Sequence, residues 1–490
     1  MTARAVMVLG TSSGAGKSWL TTALCRWYAR QGLKVAPFKA QNMSNNARVV
    51  AGPAGSGEIG SAQYFQALAA KAEPDVRMNP LLLKPERDTH SQVVLLGRVD
   101  EALTRMDWRG RSVRVWPAVA QALDALLAEN DVVVIEGAGS PAEINLLDSD
   151  IVNLRVARHA NAKCLLVTDI DRGGAFAHLY GTWALLPEAD RALIQGYVLN
   201  KFRGDAALLA PGPQLLQERT GIPTVATLPM WHHHGLPEED GVLDDRHTGT
   251  GAITTTIAVV AYPRISNLDE FQPLKNVPGV RLKWARSAAE LQGVDWIILP
   301  GSKHTTGDLA WLRSQGLDRA IAAHAQRGGA VLGICGGLQM LGEALVDAHG
   351  IDGNAPGLGL LPLVTSFEPA KTVRHTQARF GPLAGPWAAL AGVPVRGYEI
   401  HHGQTAQHPA MAAKGDLARE VLPGLGWQNG PGHVLGLYLH GLFEDPAVVQ
   451  ALFGHQGAVS VPTLASVFDG LADFIDQHFA PGVLAALIKP

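Results

Sequence analysis

The stretch "MVLGTSSGAGKSWLTTALCRWYARQG", residues 7–32, decides the architecture of the first half of the chain. It opens on an apolar run, passes through a loop of small residues and continues with apolar side chains at helical spacing until Gly32 stops it. Strand, small-residue loop and helix, in that order, are the setting a phosphate-binding loop requires. Within it, "GTSSGAGKS" (10–18) misses the strict G-x-x-x-x-G-K-[ST] spacing, because Gly10 stands one residue too far from Gly16-Lys17-Ser18. The physics tolerates the extra residue. Small residues, Gly14 and Gly16 among them, let successive N–H groups curl around phosphate oxygens, and the helix that follows presents a positive dipole end. Lys17 is then expected to reach the outer phosphates and Ser18 to ligate Mg²⁺.

Outward from this stretch, short apolar runs recur at 33–39, 131–139, 162–170 and 194–200. Their unbroken apolar character fits strands buried on both faces of a parallel sheet, and the amphipathic segments between them make the pattern doubly wound. The composition changes at "MWHHHGLPEEDGVLDDRHTGTGA" (230–252), which is polar, His-rich and punctuated by Gly and Pro. A second α/β series follows at 256–262, 294–301, 330–337 and 434–441. The expected organisation is α/β throughout, with two doubly wound domains: a P-loop parallel-sheet domain over 1–230, a linker over 231–252, a second domain over 253–447 and a helical tail over 448–490. The triplet His232–His234 reads as solvated linker, since three adjacent residues do not readily face one ion.

Bulk composition excludes several classes. A chain of 490 residues with 47% hydrophobic and 17% charged residues has the make-up of a globular protein of two or three domains. Net charge is −3 with Lys and Arg scattered, so neither a nucleic-acid surface nor an anionic-membrane surface is indicated. No stretch reaches ~18 uninterrupted apolar residues, and the apolar run at the N-terminus is too short for a signal peptide. Three cysteines without a CxxC favour a reducing compartment, so a cytoplasmic location is expected.

A phosphate site that does chemistry also needs metal ligands at strand ends. Glu136, closing "DVVVIE", is placed to meet Mg²⁺ directly or through water. Lys39 ends the next strand, where it faces phosphate or a substrate carboxylate, or is simply a surface lysine. Asp169 and Asp171 in "TDIDRGG" either bind metal or cap a turn. The G-x₅-G-K-[ST] spacing, the strand-end lysine and "EGAG" together resemble the dethiobiotin synthetase branch of P-loop proteins, which use ATP to activate a carboxylate for attack by nitrogen. That resemblance places Asn200 of "YVLNKFRGD" where the branch reads adenine.

In the second half, "GICGG" (333–337) has the G-x-nucleophile-x-G form of a nucleophile elbow centred on Cys335. A helix N-terminus there lowers a thiol pKa, and the N–H that follows can bind an oxyanion. Cys25 and Cys164 lie in apolar patterns and read as core filling. His440 comes directly after an apolar strand, where it can serve the thiol as base. With "IILPGSKHTTGD" (297–308) as an earlier loop, the set resembles a class I glutamine amidotransferase domain. In that family the cysteine forms a thioester with glutamine and releases ammonia. The resemblance implies oxyanion donors at Gly336 and in the loop that begins at Gly301-Ser302. It also exposes a departure: most members carry His-x-Glu, whereas Leu442 stands two residues after His440. Either another group orients the histidine, Glu444 being close in sequence, or the site runs as a dyad.

Together the halves imply amide synthesis. Longer segments, among them "FKAQNMSNNA", "MNPLLLKPERDTHSQVVLLGR", "EGAGSPAEINLLDSDIVNL" and "GYEIHHG", resemble the cobyric acid synthase family over nearly the whole chain. That resemblance implies ATP- and glutamine-dependent amidation of the b, d, e and g carboxylates of adenosylcobyrinic acid a,c-diamide through acyl phosphates. Its partners are that corrinoid, L-glutamine and ATP, with Mg²⁺; no tightly bound organic cofactor is expected, and the cobalt belongs to the substrate. Gln41, Asn42, Ser44 and Asn45 either hold corrinoid carboxylates and amides or supply turn and cap chemistry. The competing readings are cobyrinic acid a,c-diamide synthase, of the same architecture, and a non-catalytic ATP switch carrying a silent amidotransferase domain.

Overall fold

The computed structural model describes residues 3–52, 55–87, 89–232, 234–237, 252–454 and 463–489. Most of the expected linker 231–252, His233 included, lies outside them. The first sheet is built from β1 (Arg4–Gly10), β2 (Val35–Phe38), β3 (Val132–Glu136), β4 (Lys163–Asp169), β5 (Ile194–Phe202) and β6 (Thr224–Pro229) in the order β6-β5-β4-β1-β3-β2. All its pairings are parallel. In β1, Met7 and Leu9 enter one apolar core while Val6 and Val8 enter the other, which is why the run carries no polar alternation. The chain leaves β1 toward β2 and β3 on one side and later places β4 on the other. The crevice at the carboxyl end of β1 is therefore a topological switch point, where such sheets bind ligands.

The second sheet comprises β7 (Thr255–Val260), β8 (Val280–Ala285), β9 (Trp296–Leu299), β10 (Ala330–Ile334), β11 (Arg419–Leu422), β12 (Gly426–Gln428) and β13 (Val434–Leu437). Their order is β8-β7-β9-β10-β13-β12-β11. The five strands from β8 to β13 are parallel and the last two antiparallel. Two doubly wound α/β units are thus present, as the apolar runs predict, with an antiparallel edge they do not.

Further β structure joins the two units. In the first half the strands Ala47–Gly52 and Gly55–Gly60 form a hairpin, and Leu81–Arg87 pairs with His90–Leu95. In the second half Leu363–Arg379 and Pro394–Gln407 form a long hairpin that reaches back to the first. Ion pairs at the buried carboxylate of Glu58 and the half-buried one of Glu86 stitch this contact. Lys84 Nζ lies 2.8 Å from Glu58 Oε2, Lys371 pairs with the same carboxylate, and Lys303 Nζ lies 2.6 Å from Glu86 Oε1. Burial opposes the charge on Glu58, but the two ammonium groups hold its carboxyl well below the usual range.

The C-terminal segment does not form a unit of its own. The helix Pro446–Phe453 contributes Val448, Val449 and Leu452 to the core of the second unit. The amphipathic helix Leu464–His478 instead crosses back to the first unit and packs on the helix that opens at Lys17 and ends at Arg30. Its Phe468, Leu471 and Ile475 are buried there, each worth about 1.5–3 kcal/mol of apolar burial. Arg26 Nε donates to Asp469 Oδ1 at 2.8 Å and the Tyr28 hydroxyl to the Leu484 carbonyl at 2.9 Å.

Candidate functional site

The loop from Gly10 to Gly16 curls over the N-terminus of α1 (Lys17–Arg30) at the carboxyl end of β1. Gly16 has φ 101°, and a Cβ there would sit 2.0 Å from Asn200 Nδ2, so only glycine fits. Asn200 donates from that nitrogen to the Ala15 carbonyl at 2.9 Å and braces the loop. Lys17 folds over the loop, its Nζ donating to the carbonyls of Ser12 (3.0 Å) and Gly139 (3.1 Å). These groups open on a cavity of about 860 Å³, whose lining includes Gly14, Gly16, Lys17, Ser18, Lys39 and Glu136.

Glu136 is the hub of this cavity. Its Oε1 accepts from Ser18 Oγ at 2.8 Å and from Lys39 Nζ at 2.8 Å, and its Oε2 accepts from Gln66 Nε2 at 2.6 Å. Burial alone would push this carboxyl up; the Lys39 ammonium and the hydrogen bonds from Gln66 and Ser18 hold it below its ordinary value. Lys39 is buried, so it is not a surface lysine. Among the described residues no cluster of three or more His, Cys, Asp or Glu is placed to hold a metal ion. A hydroxyl and one carboxylate suit Mg²⁺, which keeps waters and takes its remaining ligands from phosphates. Asp169 accepts from the backbone N–H of Asp171 and pairs with Lys201 at 3.0 Å, while Asp171 pairs with Arg203. Both aspartates are engaged in turn and ion-pair contacts.

The structure separates the four amide and hydroxyl residues that follow Lys39. Gln41 and Asn42 line the cavity, and Gln41 Oε1 is buried there without a partner among the described residues. Ser44 and Asn45 do not line it. Ser44 Oγ accepts from the Asn46 backbone N–H at 3.0 Å and Asn45 Nδ2 donates to the Pro85 carbonyl at 3.2 Å, so these two serve the turn. The solvated-linker reading of the His triplet is corrected in part: His232 is exposed, but His234 packs edge-on against Trp19 and Trp231 at the cavity wall. Periodicity carried no sign of that aromatic wall, because Trp231 is held there by a stack at 4.9 Å on Phe474 of the C-terminal helix.

In the second unit Cys335 sits between β10 and the short helix α2 (Gly336–Leu341), with φ 51°. A non-glycine residue at that angle is strained, as a nucleophile elbow requires. A Cβ at Gly336 would lie 2.8 Å from the Ser302 backbone nitrogen, which puts the two expected oxyanion donors side by side. Ser302 is fixed by its own hydroxyl, which donates to Asp308 Oδ2 at 2.6 Å. Burial raises the Asp308 carboxyl from 3.8 to about 7, against opposing hydrogen bonds from Ser302 and the Arg264 backbone N–H. The fold thus favours the protonated form, and the unfolded chain binds fewer protons between these two values. Stability contributed at Asp308 is therefore present below about pH 4 and lost as pH rises through about 7. Thermal unfolding of Asp308→Asn, followed from pH 4 to 8 beside the parent, should show a flatter decline with pH.

His440 follows β13 and is fully buried beside Cys335. Of the two alternatives the first holds, since another group does orient the histidine, but it is not Glu444. Glu444 is held by Arg48, Nη1 to Oε2 at 2.9 Å and Nη2 to Oε1 at 2.6 Å. Nor is the histidine left without a carboxylate. Glu270, in the 3₁₀ turn Leu268–Phe271 after β7, presents Oε1 to His440 Nδ1 at 3.0 Å and accepts the Gly441 backbone N–H on Oε2 at 2.9 Å. The Glu270 side chain has no exposed surface. Burial disfavours the imidazolium, but the charges of Glu270 and Cys335 prevail and raise His440 to about 10. With Nδ1 engaged, Nε2 is the nitrogen left for the thiol. Cys, His and a buried carboxylate thus form a triad whose acid comes from 170 positions upstream, a separation with no sequence pattern to betray it.

Comparison with known proteins matches this division. Residues 6–233 fit the family described as the CobQ/CobB/MinD/ParA nucleotide binding domain, and residues 256–448 the CobB/CobQ-like glutamine amidotransferase domain. Over its full length the chain is 78% identical to a cobyric acid synthase of Variovorax paradoxus, covering 100% of both chains, and 76% identical to that of Polaromonas naphthalenivorans, again over 100% of both. A third, from a Polaromonas species, is 75% identical over 99% of this chain and 98% of the relative. The chain belongs to the cobyric acid synthase family. As a member of that family, with a nucleotide-binding domain joined to an amidotransferase domain, it is a glutamine-dependent, ATP-driven amidoligase. No described helix is long and apolar enough to cross a membrane.

Proposed function

We propose that this protein makes cobyric acid in cobalamin biosynthesis. It would amidate the b, d, e and g carboxylates of adenosylcobyrinic acid a,c-diamide with ATP and with ammonia drawn from glutamine, in the cytoplasm. The observation that carries this reading is the presence in one chain of a phosphate cavity centred on Glu136 and a buried Cys335–His440–Glu270 triad. Full-length similarity to proteins of that name supports the corrinoid over other carboxylates.

The chemistry divides between the sites. Cys335 Sγ attacks the glutamine carboxamide carbon, and the oxyanion that forms meets the N–H groups at Gly336 and Ser302. The His440 imidazolium, steadied by Glu270, donates its proton to the departing nitrogen, and ammonia leaves a thioester on Cys335. Water then releases glutamate and restores the thiol. In the first unit Gln41 and Asn42 hold the corrinoid carboxylate, which attacks the γ-phosphorus of ATP and yields an acyl phosphate and ADP. Lys17 carries the phosphate charge, and Asn200 keeps the loop in shape beside the adenine. Ser18 and Glu136 would hold Mg²⁺, which supplies charge neutralisation between the phosphates. Ammonia displaces phosphate and leaves the amide.

The test is a mass-spectrometric time course with adenosylcobyrinic acid a,c-diamide, ATP, Mg²⁺ and amide-¹⁵N glutamine. Stepwise gain of four labelled amides is expected. An unchanged corrinoid mass while ATP is hydrolysed would overturn the reading and favour a nucleotide switch. At the phosphate site, Lys17→Met should lower amidation at least about 100-fold with either glutamine or ammonium as nitrogen source, since a preorganised cation is lost from the transferred phosphoryl.

A further inference from the structure

The segment that lines the ATP cavity does not end there. Lys39 binds Glu136, Gln41 and Asn42 face the cavity, and six residues beyond Asn42 the chain reaches Arg48 in the hairpin strand Ala47–Gly52. On the way it grips the turn that carries Glu270. Asn46 Oδ1 accepts the Leu268 backbone N–H at 3.1 Å, and the Ala47 backbone N–H donates to Asn267 Oδ1 at 2.9 Å. Arg48 then pairs with Asp269 and with Glu444, one residue before Glu270 and four after His440.

Rings continue the contact in both directions. The Arg48 guanidinium lies 5.0 Å from the centre of the Phe65 ring and 5.1 Å from that of Tyr398. Phe65 lines the ATP cavity and is followed by Gln66, which donates to Glu136. Tyr398 stacks on His440 at 5.3 Å, with 20° between the planes. Phe65, Arg48, Tyr398 and His440 thus form one unbroken pile from the cavity to the catalytic imidazole. Arg48 is 2% exposed and its Nε has no partner among the described residues. Burying a guanidinium with two carboxylates gains little stability over a well-packed apolar plug, so its geometry is what the arrangement supplies.

We propose that Arg48 is a positioning residue for glutamine hydrolysis: from the ATP-binding half it sets the orientation of the Glu270–His440 pair, so that the seating of segment 39–48 in its cavity governs the thiol site. This rests on the reading of Cys335, His440 and Glu270 as the glutaminase. Full-length protein is assayed for glutamate release with ATP, Mg²⁺ and corrinoid present, and separately for amidation driven by ammonium. Arg48→Met should lower kcat for glutamate release at least about tenfold while KM for glutamine and the ammonium-driven rate stay within about twofold. Arg48→Lys should restore part of the loss, as it returns the charge without the two-pronged geometry.

Wild-type kcat in Arg48→Met overturns the proposal. Should Arg48→Met lose both activities, Arg48→Met/Asp269→Asn decides, because it removes the stranded carboxylate. Return of the ammonium-driven rate alone supports the positioning role; return of both, or of neither, refutes it. Cys335→Ala runs as a control. Glutamate release surviving in that variant would fell the glutaminase reading itself, an outcome distinct from any result at Arg48.

Discussion

Cys335→Ala is expected to lose glutamine-driven amidation entirely, by about 10⁶-fold, the scale on which removing the nucleophile of a triad acts. Ammonium supplied at high concentration should restore amide formation to the parent rate. The argument is geometric. Cys335 stands on an elbow of the second unit, whereas every group around Glu136 belongs to the first. Losing a thiol removes the thioester but touches nothing that holds ATP. Initial rates with each nitrogen source, read by corrinoid mass, check this. Failure of ammonium to rescue would mean that the cysteine serves the first site as well.

Glu270→Gln comes next in size, with an expected fall in glutamine hydrolysis of about 10⁴-fold, the scale set by the matching carboxylate-to-amide change in a serine-protease triad. The carboxylate accepts from His440 Nδ1 and from the Gly441 backbone N–H. An amide of the same shape offers only one acceptor, and its NH₂ would have to face one of those donors. Turning its oxygen to Gly441 directs the NH₂ at Nδ1 and drives the ring proton to Nε2, the nitrogen needed for the thiol. The negative charge that holds the imidazolium up to about 10 also disappears. Glutaminase pH profiles of parent and variant check the second point: the limb that reports His440 should move to lower pH in the variant. A rate within tenfold of the parent would remove Glu270 from the triad.

Both candidate sites were legible where local chemistry is dense. An apolar run, small residues, Lys17 and a helix lie within one stretch, and so do the glycines around Cys335. Glu136 was legible as the last residue of a strand and His440 as a residue just beyond one. What was not legible depends on contacts between distant segments. Glu270 sits in "NLDEF", which reads as an ordinary acidic turn until β7 carries it beneath His440. Glu444 was the nearer carboxylate in sequence, but Arg48 arrives from 396 positions away and takes it. The hairpin of Leu363–Arg379 and Pro394–Gln407 was hidden for a different reason. Its pairing shifts register between Phe367 and Thr372, and its outer half is mostly open to solvent, so no sustained alternation marks it. Ser44 and Asn45 stand next to cavity residues in sequence but turn away from the cavity, a distinction that side-chain type does not reveal.

The return of Leu464–His478 to the first unit has a bearing on biogenesis. At roughly 5–20 residues per second, the ribosome finishes β6 some tens of seconds before it delivers Phe474. During that interval the nascent nucleotide-binding half lacks the ring on which Trp231 stacks and against whose edge Trp19 packs. A part of the enzyme made early is therefore completed by a part made later. A message truncated near its 3′ end would yield a chain whose amidotransferase half is whole and whose ATP-binding half has a sticky, unfinished face, a natural substrate for chaperones and proteases.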